Sequence, residues 1–390
     1  MENYSAKDKA YLAALMFLKF VMVGAGIAAL GPTLGYYAKV TNNGLAEANN
    51  LFLIKPIGFM VGSLVCHHLM RLLNLKLLVF LLITSWAVFF YLPLLTTSLY
   101  WIGFFLFLLG LCEGVIEVFG NYFIIRLYPR NNRIQMISLH FCFGIGAILA
   151  PYLIGFDLDV NENPRIAYLI LCGVTIPAFG LLFFKLNKLP SKLEETAQDE
   201  NKQNIPLFSG ILIGLIFILY VGVEIAYSNW IFQYSVDQLN FSLYDAGMMT
   251  SAFWVTFTLF RLVGICFRNV KTATLLKIHF NLIIILAIPP ILFGHPVLNV
   301  FSALGLGFAM SLIFPSMISY LEEQFHLNPA IIGKIIMSGT IGAFAIPWLF
   351  GYFYVRFSPQ WLYYLVAIFS VFLSATFILF SRQAPKRQPK

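Results

Sequence analysis

The chain has 390 residues, of which 60% are hydrophobic and only 11% charged, against about 25% charged in a typical soluble domain. That balance excludes a soluble globular protein and reads as a polytopic membrane protein. The net charge of +8 would suit a nucleic-acid binder, but its placement along the chain accounts for it without one, and no nucleic-acid partner is expected.

Twelve apolar segments follow one another, with cores at 11–36, 50–72, 76–95, 99–127, 134–155, 166–185, 207–233, 245–267, 272–293, 297–320, 330–354 and 361–381. Each is long enough to cross about 30 Å of hydrocarbon as a helix. Open strands cannot satisfy their backbone in lipid, so helix is the expected state. The first segment is too long for a signal-peptide core and has no clear cleavage site. The one polar linker separates segments six and seven. The expected organisation is therefore a six-helix bundle at 1–185, a cytoplasmic linker at 186–204, and a second six-helix bundle with a short basic tail at 205–390.

Basic residues set the orientation. Of the 25 Lys and Arg, nineteen, among them Lys7, Arg71, Lys76, Arg126 and Lys185, fall on one side. Lys39, Lys55, Arg165 and Arg356 fall on the other, and Lys19 and Arg261 sit within spans. This asymmetry predicts that both termini are cytoplasmic; the expected protein is a multi-pass monomer of the plasma membrane, or of the inner membrane of a bacterium. Cys66, Cys112, Cys142, Cys172 and Cys266 all lie in apolar runs and read as buried free thiols.

The pattern G-A-x-x-x-P-x-L-x-G occurs twice, from Gly146 to Gly155 and from Gly342 to Gly351. The offset, 342 − 146 = 196, is close to half the chain. Residues 23–28 and 221–226 echo each other at a similar spacing. Fixed-offset self-similarity marks a duplicated fold. In a membrane chain it predicts two parallel, pseudo-symmetric six-helix bundles of a transporter.

Three stretches carry a resemblance. The fourth and fifth segments contain Glu117, Asn121, Leu127-Tyr128-Pro129 and Leu139-His140-Phe141, running into Gly144 and Gly146. The seventh reads Tyr220-Val221-Gly222-Val223-Glu224 and continues to Tyr227 and Trp230. The eighth holds Phe253-Trp254 and Arg261. Together with the topology, these resemble the major facilitator superfamily, and within it the fucose permease group with its sodium-dependent glucose transporter relatives. Two departures stand out. The superfamily's acidic loop between helices 2 and 3 is replaced by Gly62 to Arg71 without an acid. The acid that the proton-coupled fucose permease carries in helix 1 is absent, and Lys19 is present instead.

Ionisable groups inside spans are costly and point to function. Glu113 and Glu117 share one face of the fourth helix, and Asn121 continues it. Two carboxylates so close in low dielectric resist ionising together, which suits a group that loads and releases a proton. Lys19 lies about 8 residues into the first helix and Glu117 about 10 from the cytoplasmic end of the fourth, at similar depths of roughly 12 and 15 Å. A Lys19–Glu117 ion pair is therefore expected. Glu113, Glu117 and Lys19 are the ion-coupling candidates. Glu224, Tyr227 and Trp230 share roughly one side of the seventh helix and suit a sugar, the acid accepting from hydroxyls and the aromatics packing on its CH groups. The resemblance adds Asn121, His140 and Trp254 to the substrate-binding set. The alternatives are structural: interhelical hydrogen bonds for Asn121 and His140, core packing for the aromatics.

No phosphate loop, zinc spacing or nucleophile motif is present, so no catalytic residue, metal ligand or cofactor is expected, and the chain does not read as an enzyme. The expectation is a secondary transporter of a small polar solute, a hexose or related sugar, working by alternating access coupled to H+ or Na+. An organic-anion transporter with Lys19 as counter-charge, and a non-transporting receptor or scaffold, are the competing readings.

Overall fold

The computed structural model describes residues 4–128, 133–184, 205–263, 270–325 and 329–383. Among them are twelve helices long and apolar enough to cross a membrane. They are α1 (Ala6–Val40), α2 (Leu45–Leu72), α3 (Leu75–Leu95), α4 (Leu99–Leu127), α5 (Ile134–Asn161), α6 (Arg165–Phe183), α7 (Leu207–Leu239), α8 (Leu243–Val263), α9 (Thr272–Phe293), α10 (Pro296–Gln324), α11 (Ile331–Arg356) and α12 (Trp361–Gln383). The expected linker at 186–204, Cys266 and the basic tail from 384 onward lie outside the described residues.

The helices run past several of the expected boundaries for local reasons. Ser5 caps α1, its hydroxyl accepting from the Asp8 amide at 3.2 Å, and Asp8 lies in the first turn, where a carboxylate complements the helix dipole. Residues Leu45–Ala48 form a first helical turn behind Gly44, whose amide donates to the Glu47 side chain at 3.0 Å. The second span therefore starts ahead of the expected residue 50. Among the described residues three of these helices are interrupted: α2 at Asn49–Asn50, α6 between Cys172 and Thr175, and α10 at Leu312.

Two compact units divide the chain: Met1–Thr196 with Ser242–Ser251, and Ala197–Phe241 with Ala252–Lys390. Within each, helices pack through bare backbone. In the first unit Gly58 and Gly62 of α2 face the Phe107 and Leu111 carbonyls, while Gly110 and Gly114 of α4 face the Lys55 and Phe59 carbonyls. These are reciprocal small-xxx-small pairs, which let two helix axes approach closely in a medium that supplies no hydrophobic drive for helix association.

The duplicated motif has a structural counterpart. Gly146 of α5 faces the Val21 carbonyl of α1, and Gly342 of α11 faces the Ile218 carbonyl of α7. The offsets, 342 − 146 = 196 and 218 − 21 = 197, agree to one residue. The repeated glycine thus makes the same helix crossing in both units.

Candidate functional site

Three groups of polar side chains inside the spans contain the ionisable candidates. The first is an ion pair that the sequence reading did not anticipate. Lys55 of α2 and Glu113 of α4 meet at 3.0 Å, with side-chain exposures of 6% and 1%. The Lys55 ammonium also donates to the Gly26 carbonyl of α1 at 2.5 Å. Gly26 is required here, because a Cβ would collide with the Glu113 carboxylate. The Trp86 indole of α3 faces the same acid. Four helices thus converge on one carboxylate. Lys55 had been expected among the outer-side basic residues; it lies inside α2 and is buried. A lone ammonium in a span costs roughly 3 kcal/mol, and Glu113 supplies its counter-charge.

The second group lies along α1, α4 and α5. Lys19 is fully buried, and its ammonium has no hydrogen-bond partner among the described residues. It sits over the Phe119 ring, 4.2 Å from the centroid, and faces the Cys66 thiol of α2. A ring face offers such a cation only partial compensation for lost water. Glu117 is half-buried and accepts from the Asn121 carboxamide at 3.1 Å, while the same nitrogen donates to the Glu117 carbonyl at 2.8 Å. His140, also half-buried, meets the Phe20 ring edge-on at 5.7 Å, and Phe20 in turn fills the space beside Gly120. The expected Lys19–Glu117 ion pair is not formed, and Glu113 of the same helix pairs with Lys55. Matching depth along two helices did not bring the two groups together, because Lys19 turns onto Phe119.

The third group is in the second unit. Glu224 of α7 is buried and faces the Tyr220 hydroxyl and the Arg261 guanidinium of α8. Tyr220 donates to the Met310 carbonyl of α10 at 2.9 Å. Arg261 donates to the Ser311 carbonyl at 3.4 Å and lies over the Phe257 ring at 4.2 Å. Tyr227 and Trp230, expected beside Glu224 as solute contacts, are fully buried in side-chain packing. The Tyr227 and Tyr363 hydroxyls are 3.2 Å apart. The Trp230 indole donates to the Pro347 carbonyl at 2.9 Å. Trp254 is likewise buried, between the Phe253 and Phe257 rings. Tyr220 was missed by the sequence reading, although it stands four residues before Glu224 and therefore on the same helix face.

Among the described residues no group of His, Cys, Asp or Glu has the clustering a metal ion needs. Cys66, Cys112, Cys142 and Cys172 are free thiols.

Comparison with known proteins bears on the family and the fold. Sodium-dependent glucose transporter 1A of Mus musculus is 25% identical, with 86% of this chain and 88% of that protein covered. The human sodium-dependent glucose transporter 1 is 21% identical over 86% of this chain and 72% of its own length. A TsgA homolog of Buchnera aphidicola is 23% identical, with 85% of each covered. Among solved structures, the nucleoside transporter NupG superposes with a TM-score of 0.70 at 17% identity, covering 98% of this chain and 100% of that one. A bacterial homolog of the human lysosomal transporter Spinster gives 0.77 at 14% identity, covering 99% and 100%. Residues 16–347 match the family model of the Major Facilitator Superfamily. With twelve span-length helices, a duplicated helix crossing and this match over most of its length, the chain belongs to the Major Facilitator Superfamily.

Proposed function

We propose that this transporter moves a hexose or related sugar by alternating access, driven by H+ or Na+. The observation that carries the reading is the Glu117–Asn121 pair, a carboxylate and a carboxamide held together on α4 with surface still accessible, deep in an apolar helix. Such a pair offers acceptors and donors for vicinal hydroxyls. The names of the sodium-dependent glucose transporters among the relatives point the same way.

In this reading Glu117 is the ion-responsive carboxylate. Glu113, held by Lys55, assists by shaping the local field, and Lys19 is the cation whose environment changes as the protein opens. Asn121, His140 and Glu224 contact the solute. Tyr227, Trp230 and Trp254 support the site from behind. The protein works as a monomer in the plasma membrane, or the inner membrane of a bacterium, with the termini and the 186–204 linker in the cytoplasm.

The test is uptake into proteoliposomes under an imposed H+ or Na+ gradient, with D-glucose, D-fucose and a panel of hexoses. Glu117→Gln should abolish accumulation against a gradient while leaving ligand-induced thermal stabilisation in place. Concentrative uptake that survives in this variant overturns the coupling assignment.

One observation favours a second reading. Lys19 is a buried ammonium without a hydrogen-bond partner among the described residues, and an anionic solute would supply its counter-charge. A panel of organic anions in the same stabilisation assay separates the two, and binding without flux would identify a receptor or scaffold.

A further inference from the structure

The interruption of α10 has a cause in the sequence. Pro315 has no N–H to give to the Ser311 carbonyl four residues back, and its ring crowds that carbonyl. The helix accordingly breaks into Pro296–Ser311 and Ile313–Gln324. Buried carbonyls must find donors, and here three consecutive ones find them on three other helices. His279 of α9 meets the Ala309 carbonyl at 2.7 Å, Tyr220 of α7 donates to Met310, and Arg261 of α8 donates to Ser311. Two of these three side chains also face Glu224.

A phenol carries one proton. Tyr220 gives it to the Met310 carbonyl in this structure, yet the Glu224 carboxylate, a stronger acceptor, stands within reach of the same hydroxyl. Arg261 donates to the Ser311 carbonyl and is drawn toward Glu224 by charge rather than by a hydrogen bond. A donor that satisfies Glu224 from elsewhere removes that competition and leaves Tyr220 and Arg261 on α10.

We propose that Tyr220 and Arg261 are positioning residues that tie the occupancy of Glu224 to the break in α10. With Glu224 engaged by a hydroxyl donor, both side chains hold the break closed. With Glu224 unengaged, its carboxylate draws them away and the break loosens. The link to solute rests on the reading of Glu224 as a solute contact; the link between Glu224 and α10 does not.

Hydrogen exchange of the purified full-length protein in nanodiscs, read over amides 312–318, tests this without a solute. Tyr220→Phe should speed exchange there by about tenfold, the loss of one buried hydrogen bond. Glu224→Gln, which weakens the competing acceptor, should slow it by about threefold. In the Tyr220→Phe background the same Glu224→Gln change should have its effect at least halved. Peptides from α2 and α4 serve as the control for intact folding. Should Tyr220→Phe fail to fold, the slowing in Glu224→Gln, together with its loss in Arg261→Met, carries the test. Exchange that is unchanged in Glu224→Gln, or slowed equally with and without Tyr220, overturns the proposal. D-glucose added to the wild type should slow exchange as Glu224→Gln does. If the variants behave as stated and no hexose has any effect, the tie stands and the hexose reading falls.

Discussion

Lys55 and Glu113 face each other across the α2–α4 crossing at 3.0 Å, where the crossing glycines bring the two backbones together. Burial of both charges is tolerable only while each has the other. Removing one partner of a buried pair costs roughly 3–5 kcal/mol, whereas removing both can be close to neutral. Lys55→Met and Glu113→Gln should each cut the folded, detergent-extractable yield sharply and lower the thermal midpoint. The double variant should recover most of the loss. Losses that simply add would show that the pair is not energetically coupled.

The glycine crossings predict a graded response. Valine at Gly146 or Gly342 would drive side-chain atoms into the Val21 or Ile218 carbonyl. Either substitution should abolish monodisperse protein on size exclusion. Gly180 of α6 borders open space, and a Cβ added there would meet nothing within 4 Å. Gly180→Ala should therefore be tolerated and, by lowering the entropy of the unfolded helix, raise stability by about 0.5–1 kcal/mol.

Trp230 and Glu224 should separate in their effects. Trp230→Phe removes the bond to the Pro347 carbonyl and should cost about 1 kcal/mol of stability with ligand affinity unchanged. Glu224→Gln should leave the thermal midpoint close to wild type and weaken ligand binding. A Trp230→Phe variant that folds normally but loses binding would return the indole to the solute-contact set.

Orientation is open to a direct check. In a cysteine-free background, Asn74→Cys lies in the exposed turn between α2 and α3, and Asn240→Cys in the exposed turn between α7 and α8. The basic asymmetry places the first inside and the second outside. An impermeant maleimide on intact cells should label Asn240→Cys and spare Asn74→Cys. The opposite pattern would invert the topology.

Much of the architecture was legible because its signal is local. A span needs only length and apolar composition, and the repeat needs only a fixed offset, so both could be read from residue order. Side-chain partnership was less legible because it depends on helix rotation. Lys19 and Glu117 have similar depths, yet Lys19 turns onto Phe119 and Glu117 onto Asn121. Lys55 was misplaced for a different reason. Asn49 and Asn50 look like loop residues, and the helical turn at Leu45–Ala48 extends α2 further ahead of Lys55 than that loop suggests. The expected boundary of 50–72 nonetheless enclosed Lys55, a signal that an intramembrane charge needed an acid. Tyr227 and Trp230 share a side of α7 with Glu224 and are fully buried, a packing that residue order alone does not reveal.

The duplicated crossing also bears on where this protein can bend. Where glycine seats one backbone against another, as α5 on α1 and α11 on α7, sliding by even part of a turn would push side chains into main-chain oxygens. Each of these pairs is therefore a stiff double rod. In the second unit α10, broken at Leu312, is a soft joint against which the α7–α11 pair can act as a lever.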